Sequence, residues 1–434
     1  MTALAVHRRH TWFGHPSGLT VLFLTQMWAE FSFFGLQALL VYYMTQRLGM
    51  SQPAASLVYG IYGGSAFFSP LIGGFLADRI LGRTRSIVAG GVLMMLGHFA
   101  MAFEPLLYPA LALVALGNGL FIPALAVQVS GLYAEGDGRR AQAFSLYYMG
   151  INLGGLLAPL VCGTLGEKFG WHWGFAAAGV GMLIGLLIYW AFYAHLPPDP
   201  IISRIARHER ARLSIGDRSA IRLLFIIGLI VILFRIGYEQ SGNIIALWIQ
   251  GQTDRHVELF GRAVEIPATW FQSINPLLII LLTPFLMRLW GQRAERVGTA
   301  HLMRRMGLGC AVATAASLAM VVAALVHSTS GLPVSPWWIV AYFVLLTIGE
   351  LHVLPVGLSL FGTLAPMQIA SVVMGAWYIA KFLGSVVAGV MGTLWLVIPP
   401  EAFFGIGAAS TLLASAALYW MGREPTQVEA VTTA

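Results

Sequence analysis

Five ionisable residues stand inside long apolar runs: Glu30 in TQMWAEFSFFG, Arg235 and Glu239 in FRIGYEQ, Glu350 in TIGELHV and Lys381 in YIAKFLG. Acids and bases so placed can grip the two ends of a zwitterion, or pass a proton when a ligand arrives. Burial raises a carboxyl pKa and a neighbouring cation lowers it, which links protonation to occupancy. Arg235 and Glu239 are four residues apart, on one face of a helix, and so are Trp377 and Lys381. His98 and His352 fall in similar runs and could titrate near neutrality. His352 is two residues from Glu350 and so faces elsewhere; packing is the preferred reading for both. The runs hold no nucleophile beside a base, no H-E-x-x-H cluster and no P-loop, which argues against an enzyme, a metal site and ATP as energy source. Cys162 and Cys310 both sit in apolar stretches, so neither a disulfide framework nor a thiolate metal site is expected.

The elements that must position these residues are membrane spans. Hydrophobic residues make up 58% of the 434 and charged residues only 10%, against about 25% charged in soluble domains. So few charges cannot cover a water-facing surface. The apolar runs recur at the roughly 20 residues that a helix needs to cross a hydrocarbon core. They fall at 17–46, 53–77, 86–105, 107–133, 141–166 and 171–195, then at 221–249, 267–290, 302–327, 335–363, 368–397 and 401–422, about twelve in all. At roughly 1.5 Å per residue, Glu30, Arg235, Lys381 and Glu350 lie near the midplane and Glu239 one turn further out. An ionisable group there costs at least about 2.5–3.5 kcal/mol, so each is a functional candidate.

Arginines set the orientation. Arg8 and Arg9 precede the first span; Arg79, Arg83 and Arg85, Arg139 and Arg140, Arg204 to Arg218, and Arg288 to Arg305 fill alternate loops on the same side. Positive loops face the cytoplasm, which places both termini there. The basic leader MTALAVHRRHTWFGHPSG precedes a run too long for a cleavable signal. The formal charge of +7 is spread over short loops, not gathered in a stripe, so nucleic acid is not an expected partner. The expected organisation is a bundle over 1–196, a basic cytoplasmic linker over 197–220, a bundle over 221–423 and a disordered cytoplasmic tail over 424–434. Two six-helix halves suit a secondary transporter that rocks about a midplane site.

Several stretches carry a resemblance. GGFLADRILGRTRS at 73–86 resembles the signature loop of the major facilitator superfamily, in which Asp78 can pair with arginines such as Arg79 and Arg83 to latch one state. FSLYYMGINLGGLLAP at 144–159, YEQSGN at 238–243, EIPATWFQSINPLLIILLTP at 265–284, GELHVLPVGLSLFGTLAP at 349–366 and MGAWYIAKFLGS at 374–385 resemble, in order, helices 5, 7, 8, 10 and 11 of the proton-dependent oligopeptide transporters. The resemblance runs through nearly the whole chain. It implies an all-α membrane protein of the major facilitator fold, with twelve transmembrane helices in two six-helix bundles.

The departures matter as much. The family's first helix reads E-x-x-E-R-F-x-Y-Y-G-x-R; here Gln26, Ala29, Glu30 and Gln37 replace both glutamates and both arginines. The family's lysine on helix 4 is Ile122. Those cations receive the peptide carboxylate in the family, so that role cannot be carried over. Lys381, beside the position of a site tryptophan, Trp377, is expected to take it, with Arg235 as a possible helper; the alternative is a structural pair of Lys381 with Glu30 or Glu350. Glu350 matches the glutamate that receives the peptide amine, and Asn152 and Asn275 match asparagines that bond the peptide backbone. Tyr62, Tyr147, Tyr148 and Trp377 are weaker candidates. Arg235 is expected to neutralise Glu239, leaving a weaker gate, unless the pair is purely structural. Glu30, Glu239 and Glu350 are the acids available for proton coupling. The implied function is proton-coupled symport of di- and tripeptides into the cell by a monomer in the cytoplasmic (inner) membrane, with no cofactor. The rival is a same-fold importer or exporter of another small amine- or carboxylate-bearing solute.

Overall fold

The computed structural model describes residues 11–12, 14–134, 137–197, 215–259, 262–291, 298–366 and 369–423. Long apolar stretches form helices because a chain in hydrocarbon must satisfy its own backbone hydrogen bonds. In order these are α1 (Ser17–Tyr42), α2 (Gln52–Leu76), α3 (Arg83–Ala100), α4 (Leu107–Gly131), α5 (Arg139–Ala158), α6 (Thr164–Phe169) and α7 (Trp171–Ala191). After them come α8 (Ile215–Tyr238), α9 (Ile244–Gln252), α10 (Ile274–Gly291), α11 (Thr299–Ser330), α12 (Trp337–Leu364), α13 (Ala370–Gly392) and α14 (Pro400–Met421).

Among the described residues, eleven stretches are long and apolar enough to cross a bilayer. About twelve were expected from hydropathy; the one that falls short is α3, whose 18 residues open on Arg83 and Arg85 and include Gly90, Gly91 and His98. It nonetheless packs against α4 and α7.

The chain divides into two compact units. The first comprises Met1–Tyr43 and Ser65–Ile205; in it α1 packs on α5 and α7, and α3 on α4. The second comprises Met44–Gly64 and Ala206–Ala434; there α11 packs on α12 and α14, and α8 on α13 and α14. The assignment of residues 44–64 differs from the expected bundle over 1–196. The reason is close backbone contact: a Cβ on Gly60 would lie 2.7 Å from both Gly389 Cα and Ser385 O of α13. The linker expected over 197–220 falls outside the described residues except at its two ends. Residues 215–220 already belong to α8, so that helix begins earlier than hydropathy indicates. The tail 424–434 and Arg8, Arg9, Arg204, Arg207, Arg210, Arg212, Arg293 and Arg296 also lie outside the described residues.

The run 221–249 is not one helix. A 3-10 turn at Glu239–Gly242 separates α8 from α9, where SGN supplies poor helix formers. Beyond α9 the chain forms an antiparallel hairpin, β3 (His256–Leu259) with β4 (Arg262–Glu265). Arg255 ties it down by an ion pair to Glu265 at 2.5 Å and a bond to Ile266 O at 2.8 Å.

Candidate substrate site

In the second unit the polar residues converge around Glu350. Its position in α12 leaves it 8% exposed. Asn275 on α10 donates to Glu350 Oε2 at 2.8 Å and to Thr347 Oγ1 at 3.0 Å, and Tyr238 at the end of α8 donates its hydroxyl to Glu350 Oε1 at 3.0 Å. Both carboxylate oxygens are thus held by neutral donors, which fixes the group without cancelling its charge. The nearby cations are Lys381 and Arg235, whose fields both act on Glu350.

The two cations differ in access. Arg235 is 1% exposed. It makes an ion pair with Glu239 one turn on, donates to Ser385 Oγ at 3.0 Å and lies 5.7 Å above the Tyr238 ring. Gly384 makes room for it: a Cβ there would come within 2.7 Å of the Arg235 Cβ. A guanidinium so enclosed has its charge answered by Glu239, four residues on. Lys381 is only partly buried. Its ammonium lies 5.9 Å from the Tyr378 ring centre and feels Arg235, Glu239 and Glu350. Lys381 is therefore the more accessible cation. Trp377 is 2% exposed, its ring packed on Phe361 at 5.1 Å between centroids and against Gly357. Tyr62, 3% exposed, belongs to the segment that joins this unit.

In the first unit a second polar group is built on α1 and α5. Tyr147 donates to Gln26 Oε1 at 2.7 Å, and Gln26 donates from Nε2 to Glu30 Oε1 at 2.6 Å. Asn152 is 6% exposed and donates to Tyr148 O at 3.0 Å, within its own helix. Tyr148 is 42% exposed. His98 bonds Ser32 at 2.5 Å and His352 of the second unit bonds Ile348 O at 2.7 Å, both as packed side chains.

The loop 73–86 turns at Gly82, where φ is 79°, a left-handed conformation that glycine adopts without penalty. Asp78 and Arg79 are exposed and Arg83 is partly buried. Arg79 lies over the Phe75 ring at 5.4 Å. None of the ion pairs among the described residues involves Asp78.

Tyr238, Thr347, Ser385 and Gln26 complete these arrangements, and sequence reasoning did not single them out as site residues. Each had a helical-spacing signal: Tyr238 is three residues after Arg235, Thr347 three before Glu350, Ser385 four after Lys381, and Gln26 four before Glu30.

Outside the spans, Arg139 donates to Asp137 through its side chain and backbone and holds that carboxyl down at about 2. His15 bonds the Tyr133 hydroxyl at 2.8 Å.

Residues 22–332 match the Major Facilitator Superfamily. The chain is 34% identical to the peptide transporter YePEPT of Yersinia enterocolitica subsp. palearctica, with 88% of each chain covered. It is 33% identical to a di-/tripeptide transporter of Lactococcus lactis subsp. cremoris, with 85% of this chain and 88% of the relative covered. Among solved structures, a peptide transporter POT in complex with sulfate superposes with a TM-score of 0.88 at 28% identity, covering 97% of this chain and 96% of that one. A point mutant of a peptide transporter POT in complex with alafosfalin gives 0.85 at 29% identity, with the same coverage.

Proposed function

Since the chain belongs to the proton-dependent oligopeptide transporter family of the major facilitator superfamily, we propose that it carries di- and tripeptides, with protons, across the cytoplasmic membrane into the cell. The observation that carries this reading is the charge pair of the second unit. Glu350 has both carboxyl oxygens held by Asn275 and Tyr238, and Lys381, partly buried on α13, brings a basic side chain to the same cluster. A zwitterionic peptide has complementary ends: its amine would meet Glu350 and its carboxylate Lys381. Asn275 and Asn152 would bond the peptide backbone, because an amide offers both donor and acceptor whatever the side chains. Tyr62, Tyr148 and Trp377 would shape the walls. The arginine-rich loops support cytoplasmic termini, and the site needs no second copy of the chain.

Coupling requires an acid whose proton is linked to occupancy. A peptide amine at Glu350 favours its charged form and releases a proton; Glu30 is the corresponding acid of the first unit. Glu239, committed to Arg235, serves to hold the turn after α8 and to gate. Asp78, Arg79 and Arg83 would latch a state of the cycle other than this one.

The test is uptake of labelled dialanine into proteoliposomes under an imposed proton gradient, acid outside. Accumulation that collapses with the gradient, and that stops following protons in the double variant Glu30→Gln/Glu350→Gln, is expected. Absence of uptake, or accumulation only under the reverse gradient, would contradict import of peptides. Proton movement with peptide in that double variant would place coupling elsewhere.

A further inference from the structure

The charges of the second unit sum to zero across its interior: Arg235 and Lys381 against Glu239 and Glu350. The first unit has no such balance. Among the described residues, α1, α4 and α7 hold no Asp, Glu, Lys or Arg other than Glu30, α3 and α5 hold theirs only in the first turn, and α6 holds one of each sign, Glu167 and Lys168, at the end of its span. A lone interior carboxylate must be protonated or must meet a cation from elsewhere.

Its setting shows where such a cation would meet it. From Ala29 to Tyr42 every residue of α1 is buried except Glu30, Phe34 and Gln37. Their spacing of four and three puts them on one face, so Glu30 stands on the accessible stripe of its helix. Behind it the support is rigid. Gln26 is 0% exposed and Tyr147 6%. The Tyr147 hydroxyl, donating to Gln26 Oε1, fixes the amide so that its NH2 must face Glu30 Oε1. Gly154 lets α5 close on α1 here: a Cβ on it would lie 3.1 Å from Glu30 Cβ and collide with Met27 O. One carboxylate oxygen is therefore tethered by a buried neutral donor while the group as a whole stays at an accessible face. The oxygen that Gln26 leaves free is an oriented acceptor for an ammonium or guanidinium that reaches this face.

We propose that Glu30, oriented by Gln26 and Tyr147, is a specificity-determining residue that receives a cationic side chain of the substrate, so that the transporter prefers peptides bearing lysine or arginine. This rests on the peptide reading above. A neutral peptide leaves Glu30 to a proton; a basic peptide brings its own positive charge and displaces it.

The experiment is competition against labelled dialanine by dialanine, alanyl-lysine and alanyl-glutamate, in proteoliposomes of the full chain, for the wild type, Glu30→Gln and Glu30→Asp. The readout is the ratio of inhibition constants within each protein, so a general loss of affinity does not imitate the effect. Wild type is expected to bind alanyl-lysine about tenfold more tightly than dialanine, the scale of one hydrogen bond to a charged group. Glu30→Gln is expected to bring that ratio to about one, whereas Glu30→Asp, which keeps the charge, retains a preference for the lysyl peptide. A packing role would not distinguish these two variants by peptide charge. A wild type that binds dialanine and alanyl-lysine alike, or a Glu30→Gln protein that keeps the wild-type ratio, overturns the inference while leaving peptide transport intact. Failure of all three peptides to compete overturns the peptide reading and this inference with it. Should Glu30→Gln not fold, the wild type and Glu30→Asp decide: loss of the preference in Glu30→Asp, or its absence from wild type, overturns the proposal.

Discussion

A guanidinium at 1% exposure in an apolar helix persists only because Glu239 answers it. Removing one partner of a buried pair leaves a bare charge, which costs about 3–5 kcal/mol, whereas replacing both can be neutral. Glu239→Gln is therefore expected to lower the thermal unfolding midpoint of the purified protein markedly, and Arg235→Gln/Glu239→Gln to recover most of the loss. A double variant as unstable as the single would mean that the Arg235 bond to Ser385 and its contact with the Tyr238 ring matter more than the pair's charge balance. The Asp137–Arg139 pair behaves differently, since it sits in water. Its carboxyl is depressed from 3.8 to about 2, so its contribution is complete above 3.8 and lost only as pH falls towards about 2. Across roughly pH 5–8 it stays charged. Asp137→Asn is expected to leave the shape of a transport pH profile in that range unchanged; a shifted profile would mean that this loop takes part in coupling. The Arg235–Glu239 pairing could be read from i,i+4 spacing. The bond from Asn275 to Glu350 could not, because 75 residues separate them and only the packing of α10 on α12 brings them together.

Hydropathy locates the spans because the bilayer sets their length, but it is blind to what a helix packs against. Residues 44–64 illustrate this. Nothing in their composition announces that they join the second unit, yet Gly60 meets Gly389, Ser56 donates to Asn243 Oδ1 at 2.9 Å and Gln52 reaches Gly392 O at 2.9 Å. The two kinds of contact should differ in weight. Interhelical polar bonds in membranes average about 0.6 kcal/mol, so Asn243→Ala is expected to cost little. Gly60→Val would drive a branched side chain into the backbone of α13, which cannot yield as a flexible side chain does. Its expected cost is at least about 1–3 kcal/mol, the range for overpacking, and unfolding of the two variants would rank them. Equal losses would mean that the hydrogen bonds, not the close backbone approach, hold this segment. The break at Glu239–Gly242 and the hairpin β3–β4 were also hidden. The first is a single 3-10 turn inside a stretch whose mean hydropathy still reads as one span, and the second has strands of four residues each, too short to give a periodic signal.

At the scale of the whole molecule, the order of motifs along the chain is enough to give family and fold, because the pattern spans nearly its full length. The distribution of charge is what sets this member apart. The cations expected on the first helix are absent, and the accessible one, Lys381, lies on α13. The central claim is that this lysine has taken over the peptide carboxylate. The most direct measurement is competition against labelled dialanine by dialanine and by its C-terminal amide, in proteoliposomes of wild type and Lys381→Ala. The account predicts that wild type binds the free acid about tenfold or more tightly than the amide, the scale of a hydrogen bond to a charged group, and that Lys381→Ala binds the two alike. A folded Lys381→Ala protein that still discriminates the acid from the amide as wild type does would contradict it.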